Sequence, residues 1–220
     1  MTRGDRKGAE VTTGSPGKKK APARRRNRPT PRERLLDAAT KLFTEEGIRV
    51  IGIDRILREA DVAKASLYSL LGSKDNLVVA YLEELDKGYR ARWQARTENT
   101  RETDAKILAF FDMAIEEEPQ KGFRGSPFLN AANEYPRPET DSERRIVAAA
   151  TAHREWLHST MLQLLTAKNG YESDQEADQL LIFLEGGLSG ARFLRNTGPL
   201  QTGRELAVEL LAAPAIDYSI

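Results

Sequence analysis

Two short helical segments joined by three residues narrow most what this chain can fold into. From Gly52 to Leu71 it reads GIDRILREADVAKASLYSLL. Ile53, Ile56, Leu57 and Ala60 recur at helical spacing. After Asp61-Val62-Ala63 a second helix can run from Lys64 to Leu71, with Val62, Leu67 and Leu71 apolar. Helices of about eight residues are marginal alone in water, so the pair needs support. Residues 31–46 offer it. Thr30-Pro31-Arg32-Glu33 is a capping box with proline in the first turn. Leu35, Leu36, Ala39, Leu42 and Phe43 then line one face, and Gly47 ends the helix. Short helix, tight turn, short helix is helix-turn-helix spacing, and the second helix is the one offered to a DNA major groove.

With Leu67 and Leu71 inward, that second helix shows Lys64, Ala65, Tyr68 and Ser69 on its other face. Hydroxyls, one cation and small side chains suit phosphate oxygens and base edges. Ser73-Lys74 opens the next helix, and a helix N-terminus is an anion site. The run Leu67-Tyr68 through Ser73-Lys74 to Leu77, preceded by Ala60-Asp61-Val62, resembles the signature of the tetracycline-repressor (TetR) family. The resemblance is specific over about residues 31–80. It implies that Tyr68 and Lys74 contact phosphates or bases. The chain departs from the family pattern at Asp61, where Gly is usual, and at Ala63 and Gly52, where Ser or Thr caps a helix. Replacing such a cap costs roughly 1 kcal/mol for Ala and a few tenths for Gly. Asp61 can take a left-handed turn conformation.

Charge is uneven along the 220 residues. The net charge of +1 divides into +8 over residues 1–30, −1 over 31–90 and −6 over 91–220. Residues 1–29 are poor in apolar side chains, which predicts a disordered basic arm. Its Arg24, Arg25 and Arg26 are placed to track a DNA backbone or enter a minor groove. The other reading is a solubilising tail. The candidate DNA contacts are therefore Arg55, Lys64, Ala65, Ser66, Tyr68, Ser69 and Lys74, with those three arginines. An acidic remainder helps aim the correct face at DNA.

The rest of the chain reads as helices punctuated by caps. Ser73 opens a fourth helix to about residue 97, and a fifth spans 102–117 before Pro119. A short one starts at Ser126-Pro127; the family subset that resembles this run often has Cys in place of Ser126. Thr140 and Glu143 box the start of a helix that stops at Gly170. Another begins at Ser173 and ends at Gly198-Pro199, and the last is capped at Thr202. The prediction is an all-α fold of about nine helices. It has a helix-turn-helix domain over 30–76 and an effector-binding and dimerisation domain over 77–220. The last two helices could pair with a second copy as a four-helix bundle. Leu180, Leu184, Gly187, Leu188, Ala191, Leu206 and Leu210 are the candidate dimer residues. The small residues Gly186-Gly187-Leu188-Ser189-Gly190-Ala191 fit either a dimer seam or a close crossing within one protomer.

Catalytic chemistry finds no support. Gly187-Leu188-Ser189-Gly190-Ala191 has Ala where a nucleophile elbow needs Gly, and it lies mid-helix. His153 and His158 stand roughly 140° apart on one helix, so they cannot share a metal. No cofactor is expected. The chain has no cysteine, which fits a reducing cytoplasm. No run of apolar residues is long enough to span a bilayer. What the family resemblance implies is a dimeric regulator, a repressor, released from a near-palindromic operator on double-stranded DNA by a largely apolar small molecule. Trp93, Phe110, Phe111, Phe128, His153, Trp156 and Phe183 are the candidate pocket walls, or simply core. Two other readings are an effector-independent nucleoid-type binder driven by the arm, and a helical small-molecule binder with a vestigial DNA head.

Overall fold

The computed structural model describes residues 28–213, and all its regular structure there is helical. The helices are α1 Pro31–Glu46, α2 Ile53–Ala60, α3 Lys64–Leu71, α4 Lys74–Thr97, α5 Thr103–Glu117, α6 Pro127–Glu134, α7 Asp141–Asn169, α8 Asp174–Leu194 and α9 Gly198–Ala212. The arm carrying Arg24, Arg25 and Arg26 lies outside the described residues.

Sequence caps fix most helix starts. At α1 the Thr30 hydroxyl accepts from Glu33 N at 3.2 Å, and the Glu33 carboxylate accepts from Thr30 N at 2.6 Å. Thr140 and Glu143 repeat the box at α7. Neither Gly52 nor Ala63 supplies a side-chain cap. The small head regains stability elsewhere. Asp61 takes the left-handed conformation at φ 49° that ends α2. The Arg34 guanidinium, from α1, donates to Ala60 O at 2.9 Å and Asp61 O at 2.7 Å. A cation on the last carbonyls of a helix complements its dipole.

Two apolar cores result. The first joins Leu35, Leu42, Ile56 and Leu67 of the head to Leu77 and Tyr81 of α4, Phe128 of α6 and Ile146 of α7. The head core therefore continues into the larger body instead of closing on itself. The second gathers α5, the C-terminal half of α7, α8 and α9.

The last helical pair corrects the sequence expectation twice. First, α8 stops at Leu194 on a left-handed Arg195, and α9 starts at Gly198 with Pro199 in its first turn, four residues before Thr202. Gly-Pro opens this helix. Second, the small-residue seam lies inside one protomer. A Cβ on Gly187 would come within 3.0 Å of Leu200, one on Gly190 within 2.6 Å of Pro199, and one on Gly203 within 2.6 Å of the Phe183 carbonyl. Small side chains let α8 and α9 cross at this separation. Leu180, Leu184, Gly187 and Ala191, expected at a dimer seam, are instead buried in the protomer's own core, out of reach of a partner chain. Leu188 and Leu210 are half-buried against that core, and Leu206 is exposed. The apolar side chains that α8 leaves uncovered are Ile182, Phe193 and Leu194, with Phe193 83% exposed.

Candidate nucleic-acid interface and effector cavity

Helix α3 is anchored by one fully buried side chain, Leu67, while Lys64, Ala65, Tyr68 and Ser69 are exposed and Ser66 is half-buried. Tyr68 is 49% exposed and engages no other side chain among the described residues. Its phenol is thus available as donor and acceptor. The cations around it are more committed. Lys64 lies 3.5 Å from Asp54, an exposed pair that costs little to break. Arg55 forms a two-pronged pair with Glu46 at 2.6 and 2.5 Å.

Lys74 departs from the expectation. Its ammonium donates to Ile48 O at 2.7 Å and lies 5.9 Å from the Phe43 ring centre. Half-burial lowers its pKa, opposed by the nearby Asp75 and Glu134 carboxylates. In this conformation Lys74 staples the start of α4 to the turn after α1 and is not aimed at an external phosphate.

Contacts remote in sequence join head and body. The Glu134 carboxylate, at the end of α6, accepts from Ile48 N at 2.9 Å and Arg49 N at 2.6 Å. Arg49 returns a bond to Glu134 O at 3.1 Å and stacks over Tyr135. Arg124 donates to Thr44 O at 3.0 Å. Asn76 donates to Leu71 O at 2.6 Å and accepts from Arg145 of α7 at 2.9 Å. None of these partners carries a local sequence signal, because 69 to 86 residues separate the ends of the body contacts.

A cavity of about 640 Å³ lies among α4, α5, α6, α7 and α8 and reaches Thr40 and Thr44 of α1. That volume suits a drug-sized ligand. Phe128 and His153 line it. Their rings stack with centres 3.7 Å apart, and His153 Nδ1 lies 2.8 Å from Asp86 Oδ1. Burial lowers the His153 pKa, and Asp86 partly restores it. Trp93, Phe110, Phe111, Trp156 and Phe183 do not reach the cavity surface. Trp93 lies flat on Phe110 at 5.0 Å, and Trp156 meets both edge-on. Phe111 is fully buried. Edge-to-face and offset pairs stabilise one another, so these rings back the wall as core. Tyr89, missed from the sequence, bridges the two groups by lining the cavity and packing edge-on against His153 at 5.0 Å.

The profile of the bacterial regulatory proteins of the tetR family matches residues 35–81. A TetR-family transcriptional regulator from Streptomyces coelicolor is 32% identical, with a TM-score of 0.75 over 82% of this chain and 94% of that one. The chain belongs to the TetR family. Among curated relatives, the HTH-type transcriptional activator FasR of Mycolicibacterium smegmatis is 28% identical over 201 residues, 87% of this chain and 86% of its own. The HTH-type transcriptional regulator LmrA of Bacillus subtilis is 26% identical over 172 residues, 77% of this chain and 90% of its own. This TetR-family chain is a DNA-binding transcriptional regulator and not an enzyme. No helix among its described residues is long and apolar enough to cross a membrane.

Proposed function

We propose that the protein is a homodimeric repressor, held on a near-palindromic operator by two α3 helices and released by a small molecule in the cavity. The observation that carries this reading is the cavity's position. Its wall includes Thr40 and Thr44 of α1, and Phe128, Leu129 and Ala132 of α6, the helix whose Glu134 grips the turn after α1. A ligand that prefers a wider cavity would shift α6 and the head together. Coupling of about 1–3 kcal/mol is sufficient for such a response. Ile182, Phe193 and Leu194 of α8, with Leu206 and Val208 of α9, are exposed apolar residues available for a partner chain. Lys64, Tyr68 and Ser69 hold the operator in this reading, and the basic arm adds affinity independent of sequence. The name of the Mycolicibacterium relative favours a second sign, activation, with the same DNA head.

A mobility-shift assay on the chain's own upstream DNA tests the reading, with and without residues 1–29. Selective binding that survives truncation is expected. Tyr68→Ala should weaken it by about tenfold or more, since a base contact is worth about 1–3 kcal/mol, while thermal stability and dimerisation stay unchanged. Binding lost entirely with the arm would instead identify a nucleoid-type binder. Full affinity in the Tyr68→Ala protein would remove α3 from the interface. Transcription from the same promoter with and without the protein reads the sign.

A further inference from the structure

The most deeply buried charged group of the cavity wall is Glu118, at the end of α5, only 2% exposed. One of its carboxylate oxygens accepts from Gly125 N at 2.9 Å. No cation pairs with it among the described residues. The wall's three cations are each taken and lie nearer solvent. Arg92 and Lys121 share Glu117 at 2.9 and 2.5 Å, and Arg154 holds Glu185 at 3.1 Å. Their side chains are 52%, 38% and 50% exposed. A carboxylate buried in an apolar wall is unfavourable until a cation or strong donor meets it. With Nδ1 turned to Asp86, the second ring nitrogen of His153 can accept a hydrogen bond, and the neutral Thr40, Thr44, Ser126 and Thr151 hydroxyls of the wall can donate or accept. A wall whose deepest charged group is a carboxylate without a cation, and whose own cations are already paired, favours a cationic ligand.

We propose that the cavity takes a largely apolar molecule bearing a protonated amine, whose ammonium meets Glu118. This rests on the reading of the cavity as an effector site and names the effector's chemical class. The occupied cavity would then close the one unpaired charge in its wall, giving the ligand both its binding energy and its selectivity.

Calorimetric titration of the full-length protein with n-decylamine, n-decanol and n-decanoate near neutral pH tests it. The three probes share one chain and differ in charge. Decylamine should bind at least about tenfold tighter than either of the others, as charge-assisted hydrogen bonds imply. In Glu118→Gln the amine's advantage should fall to about twofold, with decanol binding unchanged. Glutamine keeps an acceptor for Gly125 N, so the loop is retained. Glu83→Gln, exposed and outside the cavity wall, should keep the wild-type ranking. Decanoate binding as tightly as the amine, no binding by any probe, or an amine preference that survives Glu118→Gln would overturn the proposal. The wild-type ranking decides even if the variant misfolds. Amine binding that depends on Glu118 yet leaves DNA bound supports the ligand class and contradicts the effector reading. Decanoate-selective binding that releases DNA does the reverse.

Discussion

Gly203→Val unfolds at a markedly lower urea concentration than the wild type. Gly203 is buried in α9, and an added Cβ would lie 2.6 Å from the Phe183 carbonyl oxygen of α8. The obstacle is backbone, so no rotamer change relieves it. Alanine at this position gains about 1 kcal/mol of helix propensity, which offsets part of the clash. Valine loses that gain to its branched Cβ and adds two methyl groups to the overlap. Overpacking of this kind costs about 1–3 kcal/mol and occasionally more, so valine is placed at the upper end and alanine between it and wild type. Because α8 and α9 also carry the uncovered apolar side chains Ile182, Phe193 and Leu206, prying them apart should weaken self-association in sedimentation runs. A valine variant with wild-type unfolding would show that the two helices have slack this geometry denies them.

Loss of the Glu134 carboxylate has a comparable effect by another route. Glu134→Ala leaves the amides of Ile48 and Arg49 without their acceptor. Hydrogen bonds to a charged group contribute about 1.5–3 kcal/mol each when sheltered. Here one amide is half-buried and the other exposed, so about 2 kcal/mol for the pair is expected. For a domain of this size that lowers Tm by roughly 4–8 °C. Calorimetry checks it, with the exposed Glu83→Ala as a control expected to be neutral. If Glu134→Ala melts with the wild type, α6 does not hold the head, and the route from cavity to DNA proposed above loses its link.

Much of this architecture was legible because each helix announces itself locally. Thr30/Glu33 and Thr140/Glu143 are boxes whose geometry depends only on residues three apart. Asp61 in the left-handed turn and the apolar spacing of α1–α3 are likewise local. Where sequence reasoning went astray, the deciding partner was distant or the motif had two meanings. Gly198-Pro199 fits a helix end or a helix start, and only the crossing with α8 selects the start. Small residues spaced along Gly187–Ala191 let any helix approach, and nothing in the pattern says whether the visitor is α9 or a second chain. Lys74 sits at a helix N-terminus that could receive phosphate, yet the Ile48 carbonyl, 26 residues earlier, takes its ammonium. Aromatic content alone marked Trp93, Phe110 and Trp156 as walls. Their mutual stacking makes them backing. Tyr89 follows the apolar period of α4 and so reads as core, and Glu118 closes an acidic run that reads as a solvated helix end, although it is buried in the cavity wall.

Hydroxyl-radical footprinting of the full-length protein on its own upstream DNA tests the central claim most directly: that two copies present α3 to separate major grooves of one duplex. Two equivalent protected half-sites are predicted, their centres one helical turn, about 10 base pairs, or a whole multiple apart, with protection lost at both in Tyr68→Ala. A single unrepeated footprint, or uniform coverage without boundaries, would contradict it.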